Sequence, residues 1–371
     1  MNATSLRILH VISAPAAGGA EVYVKQLALE LRRQGHRPAI GFVSRAAEEG
    51  RDAEFERRYL AELTEGGIDF FFLGGASRKN PLGGAFHVRR FCKSNGVQLY
   101  HSHLKVGIVC GLLLRIPRLH THHTSVPRVP RLAYGLFNLM VDQYVGISDR
   151  CSELLGSFTG RPVATVRNAI DISRFQPLVR EPGMGSRFEC ISVGRIFAPK
   201  NFALLVRAIA LLHPRILKRM HVSIVGEGPA HLVQALEKQI RQEGLGDRVK
   251  LLGNRSDIPE LLERSDLFVM SSAWEGFPIA LLEATASGLP FVATDVGGCR
   301  EIAELCGNGV VVAAQDPQVL ADAIADLVEH RDKLRRLSKA AIKSAPKLSI
   351  ETAADAHIEL YRDLLGERDS E

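Results

Sequence analysis

The stretch "SDLFVMSSAWEGFPIALLEATASGLPFVATDVGG", residues 265–298, carries two glutamates, Glu275 and Glu283, inside a pattern of buried structure. "DLFVMSS" is a short apolar run bounded by polar residues, as a buried strand is, and "FVAT", after Gly288 and Pro290, has the same form. Between them Pro278 suits the first helical position, where a missing N–H has no partner to lose. "IALLEATAS" continues the helix, and Gly288 with Pro290 two residues later stops it. A strand, a helix and a second fully buried strand make a parallel pair.

Glu275 then lies on the loop at a strand's carboxyl end, where open α/β sheets bind their ligands. Glu283 is the one charge on a helix that is apolar nearly all round. An unpaired buried carboxylate is costly or becomes protonated, so either a bond to a neighbouring loop or a ligand must satisfy it. Free N–H groups at a helix N-terminus attract phosphate, which a carboxylate repels. A ligand that uses both has phosphate at one point and hydroxyls at others, and a nucleotide sugar has that pattern.

Outward from this stretch, the same alternation of strands and helices fills the chain. "LRILHVI", "PAIGFVS", "IDFFFLG", "VQLYHSHL", "LHTHHTS", "QYVGIS" and "VATVRNAID" are strands of a first half. After the Pro/Gly-containing polar stretch "FQPLVREPGMGS", which has the character of a linker, "FECISVGR", "HVSIVGEGP", "RVKLLGN", "DLFVMSS", "FVATDVGG" and "GVVVAA" form a second. The expectation is an α/β protein of two doubly wound domains, residues 1–182 and 183–348. A last amphipathic helix within 349–371, "SIETAADAHIELYRDLLG", needs a surface to pack on.

With 371 residues, 46% of them hydrophobic, the chain is long enough for two cores. No apolar run approaches the roughly 20 residues of a membrane span, and "MNATS" leads straight into the first strand, without the pattern of a secretory leader. Six scattered cysteines without a C-x-x-C pair point to reduced thiols and a cytoplasmic location.

"GRIFAPKN" follows a strand and precedes a helix, so Arg195 and Lys200 stand where a diphosphate binds. "APAAGGAEVY" is a Gly-rich turn into the first helix without the G-x-G-x-x-G spacing of a dinucleotide site. There Gly18 and Gly19 allow close backbone approach, and Glu21 is either a ligand contact or a helix-dipole residue. "YHSH" and "HTHH" place His101 with His103, and His120 with His122, on common strand faces. Paired histidines suit zinc, but no well-placed carboxylate accompanies them and the chain has no D-x-D, so no metal and no cofactor is expected. His103, nearest its strand's end, is the first choice for an imidazole at the ligand.

"EGFPIALLEA" has the E-x7-E form of the retaining glycosyltransferases of family 4, of the GT-B fold, and the chain resembles them further. "GRIFAPKN" is similar to their "GR…K" segment, "GGAE" to their first loop and "VRNAID" to their interdomain segment, while "VGEGP" and "LLGNRSDI" resemble second-domain loops. The resemblance implies two Rossmann-like domains facing across a cleft, acceptor on the first and donor nucleotide sugar on the second, with the last helix crossing back to the first.

Position by position it implies that Glu275 holds sugar hydroxyls and Glu283 the ribose. Gly276, Phe277, Pro278 and Ile279 complete the donor loop. Arg195 and Lys200 bind the diphosphate, Gly18 and Gly19 approach it, and His103 sits beside the reacting carbon. Asn201 and Ala169 stand where the family usually has glycine. The activity implied is metal-independent, retaining transfer of a hexose-type sugar from a UDP- or GDP-sugar to a saccharide or glycolipid acceptor in lipopolysaccharide or other cell-envelope glycan synthesis. No nucleic-acid partner is implied. A nucleotide-sugar epimerase, a phosphorylase (for whose pyridoxal lysine no distinctive motif is present) and a non-catalytic nucleotide-sugar sensor are the alternatives.

Charge adds what the resemblance does not supply. From Phe70 to Val141 there are ten Lys/Arg and no Asp or Glu. Residues 1–185 carry 24 basic and 15 acidic side chains, and the remainder 23 and 26, hence +9 and −3, summing to the net +6. Arg89, Arg90 and Lys93 share a helix with Phe86 and Phe91, a surface suited to anionic lipid. The acceptor expected is therefore an anionic, membrane-held glycolipid, with the protein peripheral on the inner face of the membrane.

Overall fold

The computed structural model describes residues 5–78, 80–124, 129–179, 187–313 and 315–366. Lys79, Arg128 and the linker after residue 179 lie outside them. The chain divides into two compact units, Met1–Ala169 with Ile350–Glu371, and Ile170–Ser349.

The first unit is built on β1 (Arg7–Ile12), β2 (Arg37–Phe42), β3 (Asp69–Phe72), β4 (Leu99–Ser102), β5 (Arg118–His122), β6 (Gln143–Gly146) and β7 (Val163–Thr165). All neighbours are parallel, in the order β3-β2-β1-β4-β5-β6-β7. The second uses β8 (Phe188–Val193), β9 (Met220–Val225), β10 (Val249–Leu251), β11 (Leu267–Met270), β12 (Phe291–Thr294) and β13 (Gly309–Val312), also parallel, in the order β10-β9-β8-β11-β12-β13. Each strand coincides with a run identified from its apolar pattern, β2, β5 and β9 beginning one residue earlier, at Arg37, Arg118 and Met220. Each sheet reverses its winding between its first and fourth strands, β1/β4 and β8/β11, and such switch points open ligand crevices at strand carboxyl ends.

The helix Ile350–Leu365 belongs to the first unit. It buries Ile350, Ala353, Ala354, His357, Ile358 and Tyr361 in the core that also holds Tyr23, Leu27 and Leu31 of the helix Gly19–Arg33. The unit boundary falls at Ala169, ahead of the expected division near residue 183. The cause is local. Ile170 N–H donates to Leu348 O at 3.0 Å, and the Leu178 carbonyl accepts from Ser338 Oγ, so residues 170–178 are bonded into the second unit. All six cysteines are buried, and none is in a disulfide. Among the described residues no helix is long and apolar enough to cross a membrane.

Candidate active site

In the second unit two loops meet at the carboxyl ends of β8 and β11. The first, residues 194–201, leaves β8 through Gly194, whose N–H bonds to Val225 O at 2.9 Å. It ends on Asn201, whose positive φ of 44° turns the chain into the helix Phe202–Ala210. The second, residues 271–278, leaves β11. Ser271 Oγ donates to the carbonyls of Lys200 and Asn201, both at 3.1 Å, and Ala273 N–H donates to Pro199 O at 2.7 Å. These bonds stitch the loops together.

The opening pair of glutamates divides sharply in this setting. Glu275, its side chain 11% exposed, pairs with Lys200 Nζ at 2.7 Å and accepts from Ser272 Oγ at 2.6 Å. Gly276 follows it, Phe277 is buried, and Pro278 is the cap of the helix Ile279–Ala286 rather than its first residue. The difference comes from Pro278 ψ, which at 113° is extended, not helical. Glu283, one turn inside this helix, has no hydrogen bond or ion pair to its carboxylate among the described residues. Burial pushes its pKa up to about 7, opposed by the charge of Arg174. The residue is half-buried, and Arg174, on the neighbouring segment 170–178, is a cation that acts on it. Arg195 is exposed, its guanidinium over the Phe197 ring at 5.2 Å.

The loop after β12 supports the same site, which sequence reasoning missed. Gly297, at φ 54°, lies against the Glu275 and Gly276 carbonyls so closely that a Cβ would collide with both, and Gly298 N–H donates to Gly276 O at 2.7 Å. Thr294 Oγ1 donates to Ser272 O at 2.6 Å. The signal was available: "SS" just before the Glu275 turn and "VGG" at a strand end.

In the first unit Gly18 caps the helix that begins at Gly19, after β1. A Cβ at Gly18 would collide with the Glu21 carboxylate, which folds back over the turn, accepts from Ser13 Oγ at 2.6 Å and faces Arg51 at 3.6 Å. Those partners make Glu21 part of the local framework.

The histidines form a buried network. His103 is 5% exposed, and both its ring nitrogens are engaged: Nε2 with His10 Nδ1 at 3.0 Å and Nδ1 with His123 Nε2 at 2.9 Å. His101 is engaged equally, by Tyr361 Oη at 2.8 Å and Thr121 Oγ1 at 2.7 Å. His357 meets Tyr23 Oη at 3.0 Å. His120 and His122 bond elsewhere, to Ser102 and Thr124. His10, His101 and His103 each bring one ring nitrogen within 4.8 Å of the others. Metal coordination there would have to displace bonds that His101 and His103 already make. Burial holds His101, His103 and His120 well below the ordinary imidazole pKa, and His10, His123 and His357 down to about 3. His10 was missed because a single His inside "RILHVI" carries no periodic signal.

Known proteins share this architecture. The model of "Glycosyltransferase Family 4" matches residues 17–174 and that of "Glycosyl transferases group 1" matches residues 182–344. The chain is 28% identical over 285 residues to the lipopolysaccharide core biosynthesis mannosyltransferase LpsB of Rhizobium meliloti, covering 72% of this chain and 80% of that one. It is 28% identical over 323 residues to the putative glycosyltransferase EpsF of Bacillus subtilis, covering 80% of each. Among solved structures, HepE of Anabaena in complex with UDP superposes with a TM-score of 0.80 at 22% identity, covering 96% of this chain and all of that one. A glycosyltransferase from Rickettsia africae superposes with a TM-score of 0.83 at 18% identity, over 99% and 100%. Two parallel-sheet Rossmann-like units in series are the GT-B fold, and with the two family models accounting for most of its length, the chain belongs to the family 4 glycosyltransferases.

Proposed function

We propose that this glycosyltransferase moves a hexose from a UDP- or GDP-sugar to a saccharide or glycolipid of the cell envelope, with retention at the anomeric carbon and without a metal ion. The observation that carries the reading is the composition of the second unit's switch point. A cation and a carboxylate stand on stitched loops at the ends of β8 and β11, and a second carboxylate, Glu283, stands half-buried on the next helix with no hydrogen bond to it among the described residues. A diphosphate flanked by two hydroxyl-rich groups, ribose and sugar, answers that arrangement.

Arg195 and Lys200 neutralise the diphosphate, Glu275 binds sugar hydroxyls through Gly276–Ile279, and Glu283 accepts from the ribose. At Gly18 the first unit's turn is covered by the Glu21 carboxylate, held by Ser13 and Arg51, rather than presenting bare backbone. His103, the imidazole expected at the reacting carbon, is buried with both ring nitrogens engaged by His10 and His123, so its part is to hold that network. As the bond from the anomeric carbon to the diphosphate oxygen breaks, the acceptor oxygen bonds on the same face and its proton passes to the departing diphosphate. Fixed charges supply most of the acceleration, because they need not reorganise as charge develops. The names of the relatives, a lipopolysaccharide core biosynthesis mannosyltransferase among them, support an envelope glycan as product; the enzyme we propose is cytoplasmic and membrane-peripheral.

The acceptor side adds support of its own. Leu82, Phe86, Leu112, Leu132, Leu136 and Leu139 are exposed in the first unit, Leu132 by 90%. They alternate along the chain with exposed Arg89, Arg90, Lys93 and Arg115. Phe91, expected on this surface, instead stacks on Phe71 at 4.3 Å. Apolar side chains among cations suit an anionic leaflet.

Incubation with labelled UDP-glucose, UDP-galactose, UDP-N-acetylglucosamine and GDP-mannose, with and without EDTA, tests the reading. Transfer from one of them, unchanged by EDTA and giving an α-linked product from the α-linked donor by NMR, is expected. A β-linked product or abolition by EDTA would refute the retaining or the metal-independent claim respectively.

A further inference from the structure

The Glu275 carboxylate is held from one side. Lys200 Nζ and Ser272 Oγ both donate to Oε1, at 2.7 and 2.6 Å, while Oε2 has no hydrogen-bond partner among the described residues. The two donors differ in kind. Lys200, its side chain 23% exposed, is an ammonium on a long rotatable stem. Ser272 is 1% exposed at the end of β11, and Thr294 Oγ1 pins its carbonyl at 2.6 Å. Lys200 is therefore free to swing and Ser272 is not. An anionic diphosphate competes with Glu275 for Lys200, and once Lys200 has turned to it, Oε1 retains only the serine. The backbone beneath is fixed by the Gly298–Gly276 bond and by the contact of Gly297 with the Glu275 carbonyl. The side-chain torsions of Glu275 are then restrained by Ser272 alone.

We propose that Ser272 is a positioning residue for transfer: it holds Glu275 Oε1 in place after Lys200 has moved to the diphosphate, so that Oε2 faces the sugar hydroxyls. The proposal rests on the reading of Glu275 as the sugar contact, and it makes the Lys200–Glu275 ion pair a resting arrangement that donor entry dissolves.

The test compares Ser272→Ala, Ser272→Thr, Glu275→Gln and the Ser272→Ala/Glu275→Gln double variant, in the full chain, with whichever sugar nucleotide the parent turns over. Melting midpoints are recorded so that rates are read well below unfolding. Ser272→Ala should lower kcat at least about tenfold, the size of one hydrogen bond to a charged group, with donor KM little changed. Ser272→Thr, which keeps the hydroxyl, should recover most of the loss. The double variant should be no slower than Glu275→Gln, since the serine acts only through the carboxylate. Parent-like kcat in Ser272→Ala beside an impaired Glu275→Gln would overturn the positioning role alone. So would fully additive losses in the double variant. Parent-like turnover by Glu275→Gln would bring down the reading of Glu275 and the role of Ser272 together.

Discussion

The two sheets place their central strand pairs alike and fill them differently. In the first unit β1 and β4 carry His10 and His101 side by side in register, with His103 just beyond, all sealed under Tyr23, His357 and Tyr361. In the second unit β11 is wholly apolar and β8 carries one acidic residue, Glu189, near its start, while the charge pair stands where the strands have ended, at Lys200 and Glu275. Neutral imidazoles share hydrogen bonds inside a core, with His10 Nε2, His123 Nδ1 and His357 Nδ1 left without a partner among the described residues, whereas a carboxylate and an ammonium are held at a rim where ligand and water reach them. One unit has a polar interior that must stay uncharged; the other keeps a permanent charge pair for use.

The largest consequence falls on the first unit, in acid. Unfolded histidine titrates near 6.5, and folded His10, His123 and His357 near 3, because burial penalises the charged ring. A depressed folded pKa means stability that is whole above about pH 6.5 and is lost as pH falls toward 3. Each such group contributes about 1.4 kcal/mol per pH unit across that window. We predict that the first unit, with its helix Ile350–Leu365, unfolds between roughly pH 6 and 4, ahead of the second. Hydrogen exchange at pH 7 and 4.5 measures this, and equal protection loss in both units would erase the contrast.

The charges of the second unit come next. Lys200→Ala and Arg195→Ala should each weaken binding of UDP or GDP by about 1.5–3 kcal/mol, as for charge-assisted hydrogen bonds, with melting behaviour near the parent's. Calorimetry decides, and undiminished affinity in both would remove the diphosphate site. Glu283 sharpens the same point through pH. Its pKa near 7 reflects burial, and the ionised form accepts better from ribose hydroxyls. Donor affinity should therefore fall as pH drops through 7, and Glu283→Gln should flatten that dependence; a pH-independent parent would contradict it.

Much of this was legible in the sequence, for physical reasons. Short runs rich in apolar residues located every strand, because a sheet buried on both faces leaves few charged positions to blur them, even where buried histidines interrupt the run as in β4 and β5. The Lys200 and Glu275 loops were legible because strand carboxyl ends are where such sheets bind. Interactions distant in sequence were not. The bonds of residues 170–178 to Leu348 and Ser338 moved the unit boundary, and stacking on Phe71 leaves Phe91 half-buried. Full engagement of His103 by His10 and His123 depends on which strands become neighbours, and the H-x-H spacing does not carry that.

The smallest effect concerns the exposed cations of the first unit. Arg89, Arg90 and Lys93 changed to Ser should weaken sedimentation with anionic vesicles by about 1 kcal/mol per charge at low salt, less as the Debye length shortens. Arg89 should contribute least, since it already donates to Leu113 O at 3.1 Å. Equal binding to neutral vesicles would defeat the membrane claim and leave the transferase untouched.

The central claim is that the charge pair at the ends of β8 and β11 exists for donor chemistry rather than for the fold, and Glu275→Gln tests it most directly. The substitution keeps shape and removes charge. Single-turnover transfer from the parent's sugar nucleotide should fall at least ~10²-fold, as for loss of one preorganised electrostatic contact, while the melting midpoint stays close to the parent's. Transfer at the parent's rate would make Glu275 a structural residue and contradict the account.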